Sequence, residues 1–143
     1  MMTKKITRHQ AREITVQFLY QIDINEDSLS DNLDNLAHEH PELNLEDSFL
    51  IDMITGAYQK IDEIDEFLDN NIENWKVDRM AKVDRNVIRL ALYEALYETD
   101  IPVAVSINEA VELAKSFSNQ ESAKFVNGVL GKAIDELELE KDE

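Results

Sequence analysis

Hydrophobic residues recur at intervals of three and four positions through most of the chain, which is the spacing of a buried helix face. Before the first such stripe stands Thr7-x-x-Gln10, a pair that can satisfy the free backbone donors at a helix start. The stripe itself consists of Ala11, Ile14, Phe18, Leu19 and Ile22. This segment is predicted to be a helix, with Arg8, His9 and Arg12 largely off its buried side.

Two further segments show the same periodicity. A short helix is predicted to begin after Ser30 and to end before Pro41, because the residue preceding a proline is biased away from helical geometry. Asn44 is predicted to cap a third segment, in which the pattern fits one long helix or two helices with a break near Gln59 to Ile61. The inward positions of the two segments are Leu33, Leu36 and Ala37, and then Phe49, Met53, Ala57, Ile61, Ile64 and Leu68.

The C-terminal half is predicted to form three more helices. Asp78 is predicted to cap a helix from Arg79 to about Tyr97, which is apolar almost all round over Val87–Tyr97 and is therefore expected to be central. Two Ser-x-x-Glu pairs, Ser106 with Glu109 and Ser118 with Glu121, predict the starts of the last two helices.

These elements predict an all-α protein of six or seven helices in two small packed bundles. No alternation of the kind seen in strands, flanked by turn residues, is present. The two halves are predicted to cover about residues 1–75 and 76–137, meeting near Trp75 to Asp78, with an acidic tail at 138–143. A chain of 143 residues has the size of one domain.

The composition favours a soluble protein of the cytoplasm. There is no cysteine, which excludes disulfides and a cysteine nucleophile and fits a reducing compartment. No apolar run approaches membrane-spanning length, and the N-terminus carries no apolar signal region, so no contact with a membrane is expected.

The charge is unevenly distributed. The net charge of -17 argues against binding of nucleic acid, but residues 1–22 and 76–89 each carry a net charge of +3, from four basic against one acidic residue and five against two. The basic residues of the first region are Lys4, Lys5, Arg8 and Arg12, and those of the second are Lys76, Arg79, Lys82, Arg85 and Arg89. Because fields are screened beyond ~8 Å, such a patch can act against the overall sign.

Phe125 is a candidate for stacking on a nucleic-acid base. At ~100° per residue it lies at the edge of the apolar stripe of the last helix, close to Lys124, Glu121 and the helix start. Packing against a neighbouring helix is an equal alternative. For the basic ridge Arg79 to Arg89, pairing with the acidic helices is likewise an open alternative to phosphate binding, and Tyr20 fits either a core or an interface.

No enzymatic site is predicted. The chain has no Gly-rich phosphate loop, no HExxH motif and no arrangement of a nucleophile with a base. The acidic run 62–66 is scattered around a helix, and His38 and His40 point to different sides, so neither is expected to bind a metal. No cofactor is predicted.

Several segments together resemble the family of the bacterial transcription antitermination factor NusB. The resemblance covers nearly the whole chain and is most specific in its C-terminal blocks. Its segments are Ala11-Arg12-Glu13, Val16-Gln17, Leu19-Tyr20-Gln21, Val83–Glu94, Ile101-Pro102-Val103, Ile107–Lys115 and Lys124–Leu130.

The resemblance implies a function in ribosomal RNA transcription. It implies binding of the single-stranded boxA element of nascent RNA together with the ribosomal protein NusE, and joint action with NusA, NusG and RNA polymerase. It places Tyr20 and Asp84 at the NusE contact, and Arg8, Arg12, Lys124 and Phe125 at the RNA, with Glu121 and Ser122 beside them. His9 and Gln10 stand where the family often has more arginine, so weak binding of RNA alone is expected. With the basic regions included, the residues predicted to bind RNA are Lys4, Lys5, Arg8, His9, Arg12, Arg79, Lys82, Glu121, Ser122, Lys124 and Phe125.

Two alternative functions remain open at this point. One is an accessory RNA-binding domain of the kind fused to ribosomal RNA methyltransferases, and the other is an adaptor that docks a basic ribosomal protein without touching RNA. The sequence also leaves open whether the free protein is a monomer or a homodimer.

Overall fold

The computed structural model describes residues 6–43, 48–98 and 100–141. Within them the chain forms seven α-helices and one short 3₁₀ helix, which confirms the predicted all-α class. The α-helices are α1 (Arg8–Asn25), α2 (Leu29–Glu39), α3 (Ser48–Gln59), α4 (Ile61–Asn71), α5 (Lys82–Tyr97), α6 (Val103–Phe117) and α7 (Gln120–Lys141), and the 3₁₀ helix is Val77–Arg79. None of the helices described is long and apolar enough to cross a membrane.

The chain divides into two compact units, 1–59 and 60–143. The predicted division lies near residue 75, whereas α4 packs on α5, α7 and the 3₁₀ helix and so belongs to the second unit. In the first unit, α1 packs on α2 and α3 around a cluster formed by Ala11, Phe18, Leu36, Leu43, Leu50 and Ile54. In the second unit, α5 lies against α4, α6 and α7 and is buried over Asn86–Glu94, as expected for a central helix.

The predicted start of α1 is confirmed. The Thr7 hydroxyl accepts from the backbone N–H of Gln10 at 3.1 Å, and the Gln10 side chain accepts from the Thr7 N–H at 2.9 Å. Helix α2 ends before Pro41 as predicted, although it begins at Leu29 with Ser28 as its cap, and Ala37 is exposed rather than inward. Of the two alternatives for the third segment, the structure has two helices separated at Lys60. The predicted cap Asn44 lies outside the described residues.

The start predicted for α5 is wrong. Asp78 lies inside the 3₁₀ helix, and the extended backbone of Met80 and Ala81 delays the α-helix until Lys82. The buried side chain of Met80 anchors this bend, so burial overrides the capping preference of aspartate.

The two Ser-x-x-Glu predictions also miss the helix starts. Helix α6 begins directly after Pro102, whose fixed backbone angle suits the helix entrance, so Ser106 lies inside the helix and is 2% exposed. At α7 the cap is Asn119, whose side chain accepts from the backbone N–H of Ser122 at 2.8 Å. Ser118, the predicted cap, instead shares a hydroxyl–hydroxyl hydrogen bond with Ser122 at 2.9 Å.

Candidate RNA-binding residues in the two units

In the first unit, Arg8 presents an exposed cation at the first position of α1. Its guanidinium lies 4.6 Å from the centre of the Phe49 ring, a cation–π distance that restrains the side chain without neutralising it. Arg8 therefore keeps a full positive charge available to a phosphate. Lys4 and Lys5, the other basic residues predicted nearby, lie outside the described residues.

His9 follows Arg8 and is paired within its own helix. Its Nε2 lies 3.3 Å from the carboxylate of Glu13, one helical turn away, and both side chains are largely exposed. This contact within the helix engages the imidazole of His9 with a carboxylate, so His9 offers less to a phosphate than the unneutralised guanidinium of Arg8.

Arg12 departs from the sequence analysis, which placed it off the buried side of α1. Its side chain is 4% exposed and makes contacts within the protein. Its assignment to RNA binding stays a prediction, and its burial points to a supporting function.

In the second unit, Phe125 lies half-buried near the start of α7, while its neighbour Val126 is fully buried. This matches its expected position at the edge of the apolar stripe. Its ring packs edge-to-face against Trp75, with centroids 5.6 Å apart and planes at 86°. Trp75 is 43% exposed, so this aromatic pair reaches the protein surface.

Lys124 stands beside Phe125 on the exposed side of α7. Among the described residues, no carboxylate forms an ion pair with it, although Glu121 lies three positions earlier. Glu121 is exposed in the first turn of the helix, where a negative charge is stabilised by the helix dipole. Ser122 is half-buried and engaged with Asn119 and Ser118, so its hydroxyl and N–H both take part in the helix start.

The predicted ridge of basic residues is not continuous. Arg89 is buried and forms a bidentate ion pair with Asp65, at 2.9 and 2.7 Å, so pairing with an acidic helix is the correct alternative for this residue. Arg85 is half-buried, and its guanidinium donates to the carbonyl of Val77 at 3.5 Å. Lys82 is exposed but already in contact within the protein. Arg79 is exposed, and no ion pair holds it within the described part of the chain.

A cavity of about 210 Å³ opens beside the aromatic pair within the second unit. Its lining includes Trp75, Phe125, Lys76, Arg79 and Asp84. Trp75 is a residue of this cavity that was not among the residues predicted to bind RNA. The signal was present, because it is the only tryptophan in the chain and falls between helices, away from any apolar stripe.

The two residues predicted to contact a protein partner differ in exposure. Tyr20 is half-buried on α1 in the first unit. Asp84 lies in the first turn of α5 in the second unit and is only 8% exposed. Its Oδ1 atom is buried without a hydrogen-bond partner among the described residues. No group of three or more potential metal ligands occurs in residues 6–43, 48–98 and 100–141.

Comparison with known proteins identifies the family. Residues 9–135 match the description of the NusB family. The chain belongs to the NusB family. A relative from Oceanobacillus iheyensis, named transcription antitermination protein NusB, is 44% identical over 129 residues, which are 90% of this chain and 99% of the relative. This membership agrees with the non-enzymatic function that the sequence predicts.

Solved structures support the NusB fold. NusB of T. maritima is 33% identical, with a TM-score of 0.81 over 93% of this chain and 94% of that chain. A complex of the antitermination factors NusB and NusE with double-stranded RNA is 24% identical, with a TM-score of 0.77 over 90% of this chain and 97% of that chain. At this identity the second comparison shows the shared fold alone.

Proposed function

We propose that this protein acts in transcription antitermination by binding the single-stranded boxA element of nascent ribosomal RNA together with the ribosomal protein NusE. The observation that carries the proposal is the surface-reaching pair of Trp75 and Phe125, flanked by Lys124 and Arg79, which form no ion pairs with described residues. Aromatic rings beside unneutralised cations are the combination that single-stranded nucleic acids require.

Each type of residue has its own task. The aromatic rings stack on unpaired bases, which is worth ~1–3 kcal/mol per base. The cations Arg8, Arg79 and Lys124 hold phosphates and release counterions, so binding weakens as salt increases. Arg12 is assigned a supporting function because it is buried. The remaining proposed RNA contacts are Lys4, Lys5, His9 and Lys82, with Glu121 and Ser122 beside them.

The partner assignment rests on the family and on charge. The solved complex of a related NusB with NusE and RNA makes the same partners reasonable for this chain. A net charge of -17 suits a basic ribosomal protein and opposes RNA, so a basic partner would offset the repulsion. Tyr20 and Asp84, the two residues that the resemblance assigns to the partner, are proposed to contact NusE. Holding RNA and NusE together raises their local concentration at RNA polymerase, where NusA and NusG are proposed to join them. The proposed assembly with RNA polymerase places the protein in the cytoplasm.

The test is a fluorescence-anisotropy titration of a labelled boxA oligonucleotide, single-stranded and as a duplex, with and without NusE. We expect the single strand to bind more tightly than the duplex and NusE to strengthen binding. Phe125→Leu should weaken binding by about five-fold or more, the lower end of the stacking range. Phe117→Leu, the same change at a half-buried position on α6, is the matched control.

Two results would contradict the proposal. Binding of NusE with no measurable affinity for either form of RNA would leave only the protein adaptor. Equal losses of affinity and of melting temperature in Phe125→Leu and Phe117→Leu would show that Phe125 is a packing residue alone. Sedimentation of the free protein would show whether it is a monomer or a homodimer.

A further inference from the structure

Two large apolar side chains stand exposed where α5 turns into α6. Tyr97, the last residue of α5, is 39% exposed, and Val105, in the first turn of α6, is 43% exposed. The residues that lead into α6 add to this surface, since Pro102 and Ala104 are exposed and Ile101 is half-buried. Single exposed apolar residues are normal in proteins, whereas a contiguous group of them marks a site of interaction.

Tyr97 and Val105 lie on the same face of the α5–α6 pair. The two helices pack on each other and are joined by a short connection, 98–102, so they form an antiparallel hairpin. Ser106 donates to Glu94 at 3.4 Å, which sets these two positions opposite each other. At ~100° per residue, the rotations from Glu94 to Tyr97 and from Ser106 to Val105 lead to the same face. The two residues then differ by only ~3 Å along the helix axis.

The Tyr97 ring is held in place by its neighbours. Its hydroxyl donates to Glu63 at 2.6 Å, and the ammonium group of Lys60 lies 5.1 Å from the ring centre. The Tyr93 ring packs beside it, with centroids 5.8 Å apart. A ring that is already ordered loses little conformational entropy when a partner covers it, and tyrosine is enriched at protein interfaces because it combines an apolar body with a polar tip.

The charges around this apolar surface are mainly negative. Glu63 lies at the start of α4, and Glu98 and Asp100 lie in the connection between α5 and α6. Among the described residues of these two segments the only basic one is Lys60, which lies 3.6 Å from Glu63. Such a rim repels the phosphates of RNA, and a second copy of a chain with a net charge of -17 is repelled as well. A positively charged protein segment is attracted.

We propose that this surface, the α5–α6 corner formed by Tyr97, Pro102, Ala104 and Val105, docks a basic amphipathic segment of another protein. An apolar side chain of that segment covers Tyr97 and Val105, and its lysines or arginines meet the acidic rim. The corner is separate from the proposed NusE contact, because Tyr97 lies ~20 Å along α5 from Asp84. It does not depend on the binding of RNA and so goes beyond the proposed function.

The experiment is an NMR titration of the full, ¹⁵N-labelled chain with three synthetic helical peptides of equal length. The first peptide carries a stripe of leucines flanked by lysines. In the second peptide the leucines are replaced by serines, and in the third the lysines are replaced by glutamates. We expect only the first peptide to shift the amide signals of the α5–α6 corner and to reach saturation, with binding that weakens as salt increases.

Val105→Ser should weaken the binding of the first peptide by roughly three- to nine-fold, because the exposed 43% of this side chain is what the peptide can still bury. The matched control is Ile24→Ser, on α1 in the first unit, which removes a side chain that is 54% exposed and should leave the affinity unchanged. Asp100→Asn removes one charge of the rim and should reduce the salt dependence.

Four results would overturn the inference. They are equal binding of the lysine and glutamate peptides, unchanged affinity in Val105→Ser, shifts in the first turn of α5 instead of the corner, and corner signals that move with protein concentration alone, which would show that a second copy covers it. Adding boxA RNA to the same sample separates this inference from the proposed function. A protein that binds the first peptide at the corner but binds no RNA supports the inference and contradicts the proposed function.

Discussion

Lys124 offers the sharpest test of the electrostatic part of the proposed function. It is exposed on α7, beside Phe125, and forms no ion pair with any described residue. Replacement by alanine therefore removes a charge without breaking a contact that holds the fold. Alanine also has the highest helix propensity, so the helix itself should not be weakened.

The size of the effect follows from counterion release. Each phosphate contact with a single strand contributes about -0.7 to the slope of log affinity against log salt. A fourfold increase in salt, from 50 to 200 mM, changes log salt by about 0.6, so one contact loses about 0.4 logarithmic units, or roughly 2.6-fold in affinity. The ratio between the affinity of the unaltered protein and that of Lys124→Ala should therefore shrink by this factor between 50 and 200 mM salt.

The matched control is Lys132→Ala. Lys132 is exposed on the same helix, and the substitution changes the net charge equally. It lies about 12 Å further along the helix axis, beyond the Debye length of ~10 Å at 0.1 M salt. The assay is an anisotropy titration of single-stranded boxA RNA at several salt concentrations. If the slope is unchanged in Lys124→Ala, or reduced equally in Lys132→Ala, the residue makes no local phosphate contact and the reasoning is refuted.

Two further predictions follow from the structure. Arg12→Ala should lower the free energy of unfolding by about 1–3 kcal/mol because the side chain is buried and makes contacts within the protein. For the exposed Arg8, replacement by alanine should cost only about 0.5–1 kcal/mol, the value of its cation–π contact. Urea denaturation measures both values, and equal losses would contradict the burial of Arg12. The Tyr97 hydroxyl donates to the carboxylate of Glu63 at 2.6 Å, and this hydrogen bond raises the pKa of Tyr97 to about 12. Glu63→Gln should therefore lower the pKa of Tyr97 towards 10.0, as measured by a titration of tyrosinate absorbance. The raised pKa means that the phenol contributes stability below pH 10.0, which is lost as the pH rises towards 12; an unchanged titration would show that the hydrogen bond is not formed in solution.

The fold was predictable where a local pattern and the tertiary structure agree. The Thr7–Gln10 capping box and the end of α2 before Pro41 depend on neighbouring residues only, and both are confirmed. The start predicted at Ser106 failed because Pro102 opens the helix earlier and the serine hydroxyl donates to buried Glu94, at 3.4 Å. A capping motif indicates that a helix can start at a position, but packing decides whether it does.

The candidate site was predictable only in part, for a related reason. Helical periodicity located Phe125 at the edge of a stripe, because that property belongs to one helix. It could not find Trp75, which reaches Phe125 from an irregular segment far along the chain. Periodicity also could not show that Arg89 is buried while Arg79 is exposed. Arg89 forms an ion pair with Asp65, which lies on a different helix, and this pairing depends on the tertiary structure.

The strongly acidic composition fits the proposed recognition of one RNA element among many. A chain with a net charge of -17 gains little from non-specific attraction to phosphates, which supplies most of the affinity of basic proteins for arbitrary nucleic acid. The proposed binding then depends on cations such as Lys124 and Arg79, which form no ion pair with described residues, and on contacts with bases. Low attraction for RNA in general and specific contacts with bases thus act together in the proposed function to favour selectivity over affinity.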